Sequence, residues 1–448
     1  MRRRSAPKNA VASEAGQICP DAKGGLQERK TRKSYWSVTL KTVVVIVLIA
    51  VLLVVYLLIT RFGFGVDAPV DDAFRAQVPL IPASALQVVV ELPTPPGNLA
   101  VSSSGVVIFS FHPVYNSVNP TKIKIARVTT SGGFESWPSA SFQKNLTSVL
   151  SIRIDATGRV WLLDHCEMGF LCRPTLYAFA GTDDADSGPI FVHHFPSQVA
   201  GVGFFLNDFQ VDCRGDKGYI YITDTSTMGG TPALVVVDIG ASRSYRLFHN
   251  HRSLHGESWF VKMGGVETRF GPIGFKTHVD GISLAGGYVY FSSVTSSQLY
   301  SISADAIIAV VLGMVDGKDS QSLIAQAAEK INLVSSSKPV SDGQSQDALG
   351  QVWLTAFAES ALAVYRPSDS RLIKVIESPV LRWPDGLSFG PDGLYVTESA
   401  LHLKLFGASS VSGATFEQAH GPFMIYRIPL SSLQQAFGPD YLLPVPGH

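Results

Sequence analysis

The chain lacks an excess of charge of either sign, and it has few cysteines. Lys and Arg together number 36, Asp and Glu also number 36, and there are 4 cysteines among 448 residues. This balance argues against a global field that would attract nucleic acid or a strongly acidic partner. The sequence has no CxxC pair, which disfavours a thiolate metal site. It also has neither a G-x-S-x-G sequence nor a phosphate-binding glycine loop, so serine-hydrolase and nucleotide chemistry have no support.

A short pattern that recurs six times is the main feature that is present. In each copy one residue opens a strand, and a turn glycine follows seven or eight positions later. The openers are Asn98, Leu150, Asn207, Asp280, Asp342 and Asp385. The glycines are Gly105, Gly158, Gly215, Gly287, Gly350 and Gly393. A β-rich run follows each glycine and another apolar run trails it, which predicts a β-hairpin with a further strand in every copy.

Copies of this kind predict a β-propeller, because one twisted sheet cannot bury both of its faces without neighbours. The spacing between successive openers varies from 43 to 73 residues, as loop insertions would make it vary. A β-sandwich is the alternative, but a sandwich would not repeat one register six times. We therefore predict an all-β, six-bladed β-propeller over residues 86–440, in which the strand 86–92 completes the last blade.

An uncharged segment, residues 42–60, separates a basic tail from the rest of the chain. Its 19 residues can cross about 30 Å of hydrocarbon as a helix. Residues 1–41 contain ten Lys or Arg and three Asp or Glu, which predicts a disordered cytosolic tail. A cleaved signal peptide is the alternative, but the polar region is too long and the apolar core exceeds the usual length. We predict a type II signal anchor with the propeller in the secretory lumen or outside the cell; later cleavage of the anchor stays open.

Two other segments differ from the repeats. Residues 61–85 are acidic and punctuated by proline, which predicts a stalk. Residues 304–334 have apolar positions at helical spacing, with Asp319 or Ser320 as the N-cap. They predict a helical insertion between blades four and five that covers one end of the propeller.

A lumenal location would allow one disulfide. Cys166, Cys172 and Cys213 follow the predicted anchor, and the sequence leaves open whether Cys172 pairs with Cys166 or with Cys213. Asn145 begins an Asn-Leu-Thr sequon on a polar segment, which predicts N-glycosylation.

Several segments carry a resemblance to a known family. They are residues 159–179, 206–226, 277–302, 338–355 and 381–402. Together they resemble the major royal jelly protein and Yellow family, over about residues 86–430. More distantly, the chain resembles the senescence-marker-protein and gluconolactonase propellers, whose blades open with similar Asn-Asp and Asp-Gly steps. The first resemblance implies a channel pocket for a small aromatic or amine-bearing ligand.

The openers are the candidate site residues, because the first residue of each innermost propeller strand points toward the central channel. We expect Asn207, Asp280, Asp342 and Asp385 to converge there, with Asn98 and Asp208 close by. Carboxylates without basic partners repel one another, so either their pKa values rise or a cation lies among them. Hard oxygen ligands suit Ca²⁺ or Mg²⁺. The alternative is structural, since Asp and Gly are favoured turn formers.

The gluconolactonase resemblance implies metal ligands residue by residue. In those relatives an Asn and an Asp at the positions of Asn207 and Asp385 bind a catalytic divalent metal, and another Asn stands where this chain has Asp280. Their first-blade Glu is not recognisable, and Asn98 is the nearest counterpart. The candidate ligands are therefore Asn207, Asp280 and Asp385, with His278 or Asp208 as the candidate general base.

Two functional classes follow from these features. In the first, a membrane-anchored propeller binds a small ligand or a divalent cation such as Ca²⁺ in its channel, and nucleic acid is not a partner. In the second, it is a metal-dependent hydrolase or lactonase, in which the ion polarises a carbonyl and lowers the pKa of bound water. The fold alone does not decide between them, because propellers host both activities. We favour binding, because the departure at the first-blade Glu weakens the lactonase interpretation.

Overall fold

The structure is a computed structural model that describes residues 24–69, 71–183, 188–214, 218–226, 231–263, 266–270, 272–406 and 420–441. The chain divides into two units, Met1–Arg61 and Phe62–His448. The main element of the first is the helix Gly24–Phe62, whose segment Leu40–Ile59 has a mean hydropathy of 3.4 and is long enough to cross a membrane. Residues 24–41 of the predicted tail are part of this helix. Residues 1–23 of the predicted tail lie outside the described residues.

Six antiparallel four-stranded sheets form the blades of the second unit, which confirms the all-β, six-bladed propeller. Blade one contains Pro96–Val101, Val107–Phe111, Ile125–Val128 and Phe134–Ser136; blade two contains Val149–Ile154, Val160–Asp164, Thr175–Phe179 and Phe191–His194. Blade three contains Leu206–Asp212, Tyr219–Asp224, Ala233–Asp238 and Arg243–Leu247; blade four contains Val279–Ala285, Tyr288–Ser293, Leu299–Ser303 and Asn332–Ser335. Blade five contains Ser341–Gln346, Val352–Ala356, Ala361–Arg366 and Arg371–Glu377; blade six contains Pro384–Gly390, Gly393–Glu398, Phe423–Pro429 and Gln87–Leu92. Gly215, one of the predicted turn glycines, lies outside the described residues.

The outermost strand of blade six comes from the start of the propeller. Gln87–Leu92 pairs antiparallel with Phe423–Pro429, so the two ends of the domain join in one sheet. The predicted role of residues 86–92 is therefore confirmed.

The hydrophobic core lies between the blades. Each of six clusters of buried side chains is shared by two adjacent blades. Between blades two and three, for example, Trp161 and Phe209 are both fully buried. Each side chain of this size contributes about 1.5–3 kcal/mol when it leaves water, and so each blade is stable only with its neighbours.

The predicted helical insertion consists of two helices, Ala304–Val315 and Ser320–Ala328. Asp319 is the N-cap of the second, and its carboxylate accepts a hydrogen bond from the Ser322 amide at 2.9 Å. The helices precede the outermost strand of blade four, and Ile307 and Val311 pack with blade-three residues such as Leu234. The insertion therefore covers the junction of blades three and four.

The segment that we predicted as a stalk is packed on the propeller from Phe64 onward. Val66–Asp67 pairs in parallel with Trp259–Met263 of a side sheet, and the Ile81 amide donates to the Val375 carbonyl at 2.8 Å. Phe74 and Ile81 are 2% and 1% exposed, so burial of these side chains offsets the ordering of the segment. The other strands of the side sheet are Val266–Phe270 and Ile273–Gly274. Short helices lie at Asp72–Arg75, Leu401–Leu405 and Leu430–Phe437, and 3₁₀ turns at Ala83–Ala85, Pro113–Tyr115, Phe142–Asn145, Arg252–Leu254 and Phe357–Glu359.

Candidate functional site

All six openers line one cavity of about 290 Å³. In every blade the register between the first and second strands shifts beside the opener, as at Val279/Ile282 in blade four and Ser341/Gln344 in blade five. A bulge inserts one extra residue and changes the direction of the neighbouring side chains. The same bulge, repeated in six blades, thus directs the openers into the cavity.

The glycines that follow the three acidic openers are required because the next blade approaches closely at these positions. A Cβ atom on Gly343 would lie 1.8 Å from the carbonyl oxygen of Asp385, and one on Gly386 would lie 2.8 Å from Cα of Asn98. A Cβ on Gly281 would lie 2.6 Å from the carbonyl oxygen of Asp342. None of these glycines has a φ angle in the left-handed region. Close packing of backbones, rather than turn geometry, therefore accounts for the Asp-Gly steps.

The cavity has an acidic floor and a largely apolar wall. Its floor carries four carboxylates, those of Asp208, Asp280, Asp342 and Asp385, with Asn98 and Asn207 beside them. Its wall includes Phe205, Phe275, Val294, Trp383, Leu401 and Leu405. Apolar pockets with a few convergent polar groups are the usual form of small-molecule sites.

Arg153 is the basic partner that the sequence analysis missed. Its guanidinium contacts both carboxylate oxygens of Asp208, at 2.7 and 2.6 Å, and it donates to Oδ1 of Asn98 at 2.8 Å. Ser151 donates a further hydrogen bond to Asp208 at 2.5 Å. Asp208, predicted as a candidate general base, is therefore held in a buried ion pair. The available signal was a charged residue three positions after the opener Leu150, where the other first strands have Val, Gln or Ser.

The other three acids differ in their hydrogen-bond partners. Asn207 donates from its side-chain amide to Oδ2 of Asp280 at 2.5 Å, and Trp383 donates from Nε1 to Oδ2 of Asp342 at 2.6 Å. Among the described residues, no hydrogen bond to the side chain of Asp385 is found, although this residue is 9% exposed and lines the cavity. The Asp385 carboxylate is therefore the acid that is open to a ligand.

Burial and mutual repulsion raise the pKa values of the floor acids. Burial, with Asp342 and Asp208, raises the pKa of Asp280 well above its ordinary value. Burial, with Asp342, Asp280 and Asp208, does the same to the pKa of Asp385. The pKa of Asp342 is raised to about 6 by burial, against the lowering effect of the Trp383 hydrogen bond. Because ionised acids so close together in a buried site repel one another, binding either a proton or a cation would lower their energy.

Two histidines and a left-handed loop border the cavity. Burial lowers the pKa of both His112 and His165 to about 3, so their rings are neutral. Each Nδ1 accepts a backbone hydrogen bond, from Val114 and Met168 respectively.

Cys166, Glu167 and Met168 all have positive φ, and the disulfide Cys166–Cys172 closes the loop with a Cα–Cα distance of 5.1 Å. Cys213 is not part of a disulfide.

His278, the other candidate general base, does not line the cavity, and of three buried tryptophans only Trp383 lines it. His278 is buried, its Nδ1 accepts from the Gly256 amide at 3.0 Å, and it is not among the residues that line the cavity. Trp161 and Trp353 are fully buried and donate to Asp155 and Asp347, so they pack the blades. Trp383, in contrast, lines the cavity. Asn145 is exposed at the end of a 3₁₀ turn.

The floor acids do not form a close group of three carboxylates among the described residues. Among the described His, Cys, Asp and Glu residues, the one group of three ligand atoms found within 4.8 Å of one another is Asp164, Cys166 and Cys172. The two sulfurs of that group form the disulfide. The oxygen donors of the floor suit a hard cation chemically, but no three of its carboxylates come that close together. Asn207, Asp280 and Asp385 offer one amide oxygen and two carboxylates, and their role as metal ligands stays a prediction.

The fold and the cavity define a six-bladed β-propeller with an acid-floored channel pocket. The sequence profile of the major royal jelly protein family matches residues 147–370. The chain belongs to the major royal jelly protein family. No curated protein matches the chain in sequence.

The chain is also similar to solved propeller structures. The gluconolactonase XC5397 from Xanthomonas campestris is 14% identical with a TM-score of 0.45, and the match covers 77% of this chain and 89% of that one. The calcium-binding protein regucalcin from Agrobacterium tumefaciens is 13% identical with a TM-score of 0.44, and the match covers 78% of this chain and 95% of that one. Similarities at this level carry no information on the chemistry of this chain.

Proposed function

We propose that the channel cavity binds a small organic cation, with its ammonium group among the floor acids and its apolar or aromatic part against the wall. The observation that carries this proposal is the open carboxylate of Asp385 beside Asp280 and Asp342, in a cavity whose nearest guanidinium is committed to Asp208. Asp208 is paired with Arg153, whereas Asp280, Asp342 and Asp385 form no salt bridge among the described residues. An ammonium group that binds among these three acids would displace their protons and stabilise their ionised forms.

The wall supports an organic rather than a fully hydrated ligand. Phe205, Phe275 and Trp383 are aromatic residues in the lining of the same cavity as the acids. Aromatic faces attract cations and bury the apolar part of a ligand. The volume, about 290 Å³, suits a ligand of one ring or a short chain.

The metal-dependent hydrolase has less support. A general base must reach the reacting group, but Asp208 is ion-paired with Arg153 and His278 does not line the cavity. The oxygen donors of the floor nevertheless suit a hard cation such as Ca²⁺. Binding of Ca²⁺ is therefore the competing outcome of the experiment below.

Titration calorimetry of the full chain in detergent tests the proposal. We expect 2-phenylethylamine to bind at pH 7.5, and its uncharged counterpart 2-phenylethanol to bind at least tenfold more weakly. The Asp385→Asn variant should lose the preference for the amine, whereas Asp369→Asn, a substitution at an exposed acid, should keep it. Saturable Ca²⁺ binding without amine binding would replace the proposal by a divalent-cation site. Binding of neither would end the cation-site hypothesis.

The proposal includes a membrane anchor formed by Leu40–Ile59, with the propeller in the secretory lumen or outside the cell. The apolar helix and the disulfide Cys166–Cys172 support this topology. Asn145 is then accessible to glycosylation. Full-length protein from a eukaryotic host should lose mass on treatment with an N-glycosidase, and Asn145→Gln should not. A propeller that protease degrades in sealed, right-side-out microsomes would contradict the lumenal location.

A further inference from the structure

A second cavity, of about 620 Å³, lies apart from the acidic floor. Its wall combines the segment around Phe74 and Arg75 with residues 336–340 and the pair Ala358 and Glu359. Lys338 and Glu359 both line it. The proposed function uses neither residue.

Lys338 is unusual because its amine is buried without a direct ion pair. The residue is 3% exposed, and Nζ donates to the Pro339 carbonyl and to Ser341 Oγ, each at 2.9 Å. Both acceptors are neutral, and the structure gives no carboxylate within salt-bridge distance among the described residues. Burial lowers the pKa of Lys338 to about 7, although Asp342 and Glu359 act in the opposite direction. A large part of this amine is therefore neutral at physiological pH.

Glu359 supplies an acidic group in the same cavity. Its Oε1 accepts from Arg75 Nε at 3.3 Å, whereas its Oε2 is buried and has no hydrogen-bond partner among the described residues. Burial raises the pKa of Glu359. An unpartnered carboxyl oxygen that lines the same cavity as a largely neutral amine is a candidate for proton transfer to a ligand bound between them.

We propose that Lys338 is a nucleophilic amine and that this second cavity is a site where small aldehydes or ketones form an imine with it. The Nζ lone pair forms a bond to the carbonyl carbon, and the proton released from nitrogen moves to the carbonyl oxygen. Glu359 then gives its proton to the resulting hydroxyl group, which leaves as water while the C=N bond forms. The nitrogen gives up its second proton to the Glu359 carboxylate, which restores the acid. The net reaction joins one amine and one carbonyl compound to give one imine and one water. Desolvated lysines are activated in this way for carbonyl chemistry. This inference goes beyond the proposed function, because it concerns another cavity and another class of ligand.

Lys374 provides an internal comparison. It is 2% exposed, but its Nζ donates to the Arg75 carbonyl at 2.9 Å and to Glu377 at 2.7 Å, and it lies 5.3 Å from the centre of the Phe74 ring. Lys374 is thus as buried as Lys338 but has a carboxylate partner. We therefore expect burial alone not to make a lysine nucleophilic in this protein. Lys262 is an exposed residue on the wall of the same cavity, so its labelling rate shows how fast a solvent-accessible lysine reacts there.

The experiment is reductive alkylation of the full chain in detergent with acetaldehyde and sodium cyanoborohydride, followed by peptide mass spectrometry. At pH 7 we expect Lys338 to be ethylated at least tenfold faster than Lys262 or Lys374, with a rate that rises through about pH 7. Glu359→Gln should slow Lys338 several-fold and leave Lys262 unchanged. Lys338→Met, which has a similar length and adds no buried charge, should remove the fast site, and circular dichroism should show that the variant is still folded. Labelling of Lys338 no faster than Lys262 would overturn the proposal, and an unchanged rate in Glu359→Gln would overturn the role given to Glu359.

Discussion

Trp383 joins the aromatic wall of the channel cavity to its acidic floor. Its indole donates from Nε1 to Oδ2 of Asp342 across 2.6 Å, and its ring stacks on Phe357 at 4.0 Å between centroids. The residue has a φ of 55°, a left-handed conformation that is costly for an aromatic side chain. Stacking and the hydrogen bond together hold this conformation in place.

Replacing Trp383 by Phe should shift the pH dependence of amine binding. The Trp383 hydrogen bond lowers the pKa of Asp342, which is about 6. Without it that pKa rises, so the acid protonates at higher pH and the amine loses one of its charged partners earlier. We expect the affinity for 2-phenylethylamine to fall below about pH 6 in the parent and at a clearly higher pH in the variant, as measured by calorimetry.

Trp353→Phe is the matched control for this experiment, because Trp353 donates to Asp347 away from the cavity. It should lower stability and leave the pH midpoint of binding in place. A parent-like midpoint in Trp383→Phe would contradict the electrostatic role of the indole.

Arg153→Met should destabilise the propeller by about 3–5 kcal/mol, because it leaves Asp208 as an uncompensated buried charge. Both side chains of the pair are at least 89% buried, with 11% and 6% exposure. The double variant Arg153→Met/Asp208→Asn should recover a large part of this loss. Urea unfolding of the parent, both single variants and the double variant measures the coupling. Additive effects would show that the pair does not interact.

Asp385→Asn should stabilise the protein at neutral pH while it weakens binding. The raised pKa of Asp385 means that the folded chain holds a proton that the unfolded chain has released. Stability from this group is therefore present below about pH 4, the unfolded value, and is lost as the pH rises through the folded pKa. We expect a higher urea midpoint than the parent at pH 7.5 and a smaller difference at pH 4.

Asp369→Asn should change the stability at neutral pH in the opposite direction, that is, lower it slightly. The Arg366 hydrogen bond lowers the pKa of this exposed carboxyl, so its small contribution is present at neutral pH and is lost as the pH falls. For the Asp385 prediction, a lower urea midpoint of Asp385→Asn than of the parent at pH 7.5 would be the contrary result. It would show that the Asp385 carboxylate has a structural partner.

Gly343→Ala should be one of the most damaging single-methyl additions in the propeller. Its Cβ would lie 1.8 Å from the Asp385 carbonyl oxygen, a backbone atom of the next blade that cannot rotate away. We expect a loss of about 3 kcal/mol, at the upper end of overpacking costs. Gly181→Ala, where no atom lies within 4 Å of the added Cβ, should be tolerated. Urea midpoints compare the two, and equal midpoints would mean that the blades can separate freely.

The sequence was sufficient to predict the blades and the channel residues, because strand register and inward direction are local consequences of the repeat. It could not reveal the Arg153–Asp208 pair, since the two residues are in different blades and meet only after the ring closes. The pairing of Cys166 with Cys172 depends on a left-handed run, an uncommon conformation for residues other than glycine. The packed segment after Phe64 depends on partners such as Trp259 and Val375, which are far away in the sequence.

The pairing of Gln87–Leu92 with Phe423–Pro429 also sets the order of events during synthesis. The first strand of the domain leaves the ribosome long before its partner exists, so its edge stays unpaired while five blades are being made. Asn98 and Asp385 lie on the two sides of this closing junction. A nascent chain therefore has no complete pocket. A ligand of the channel can bind and stabilise the protein only after residue 429 has been translated.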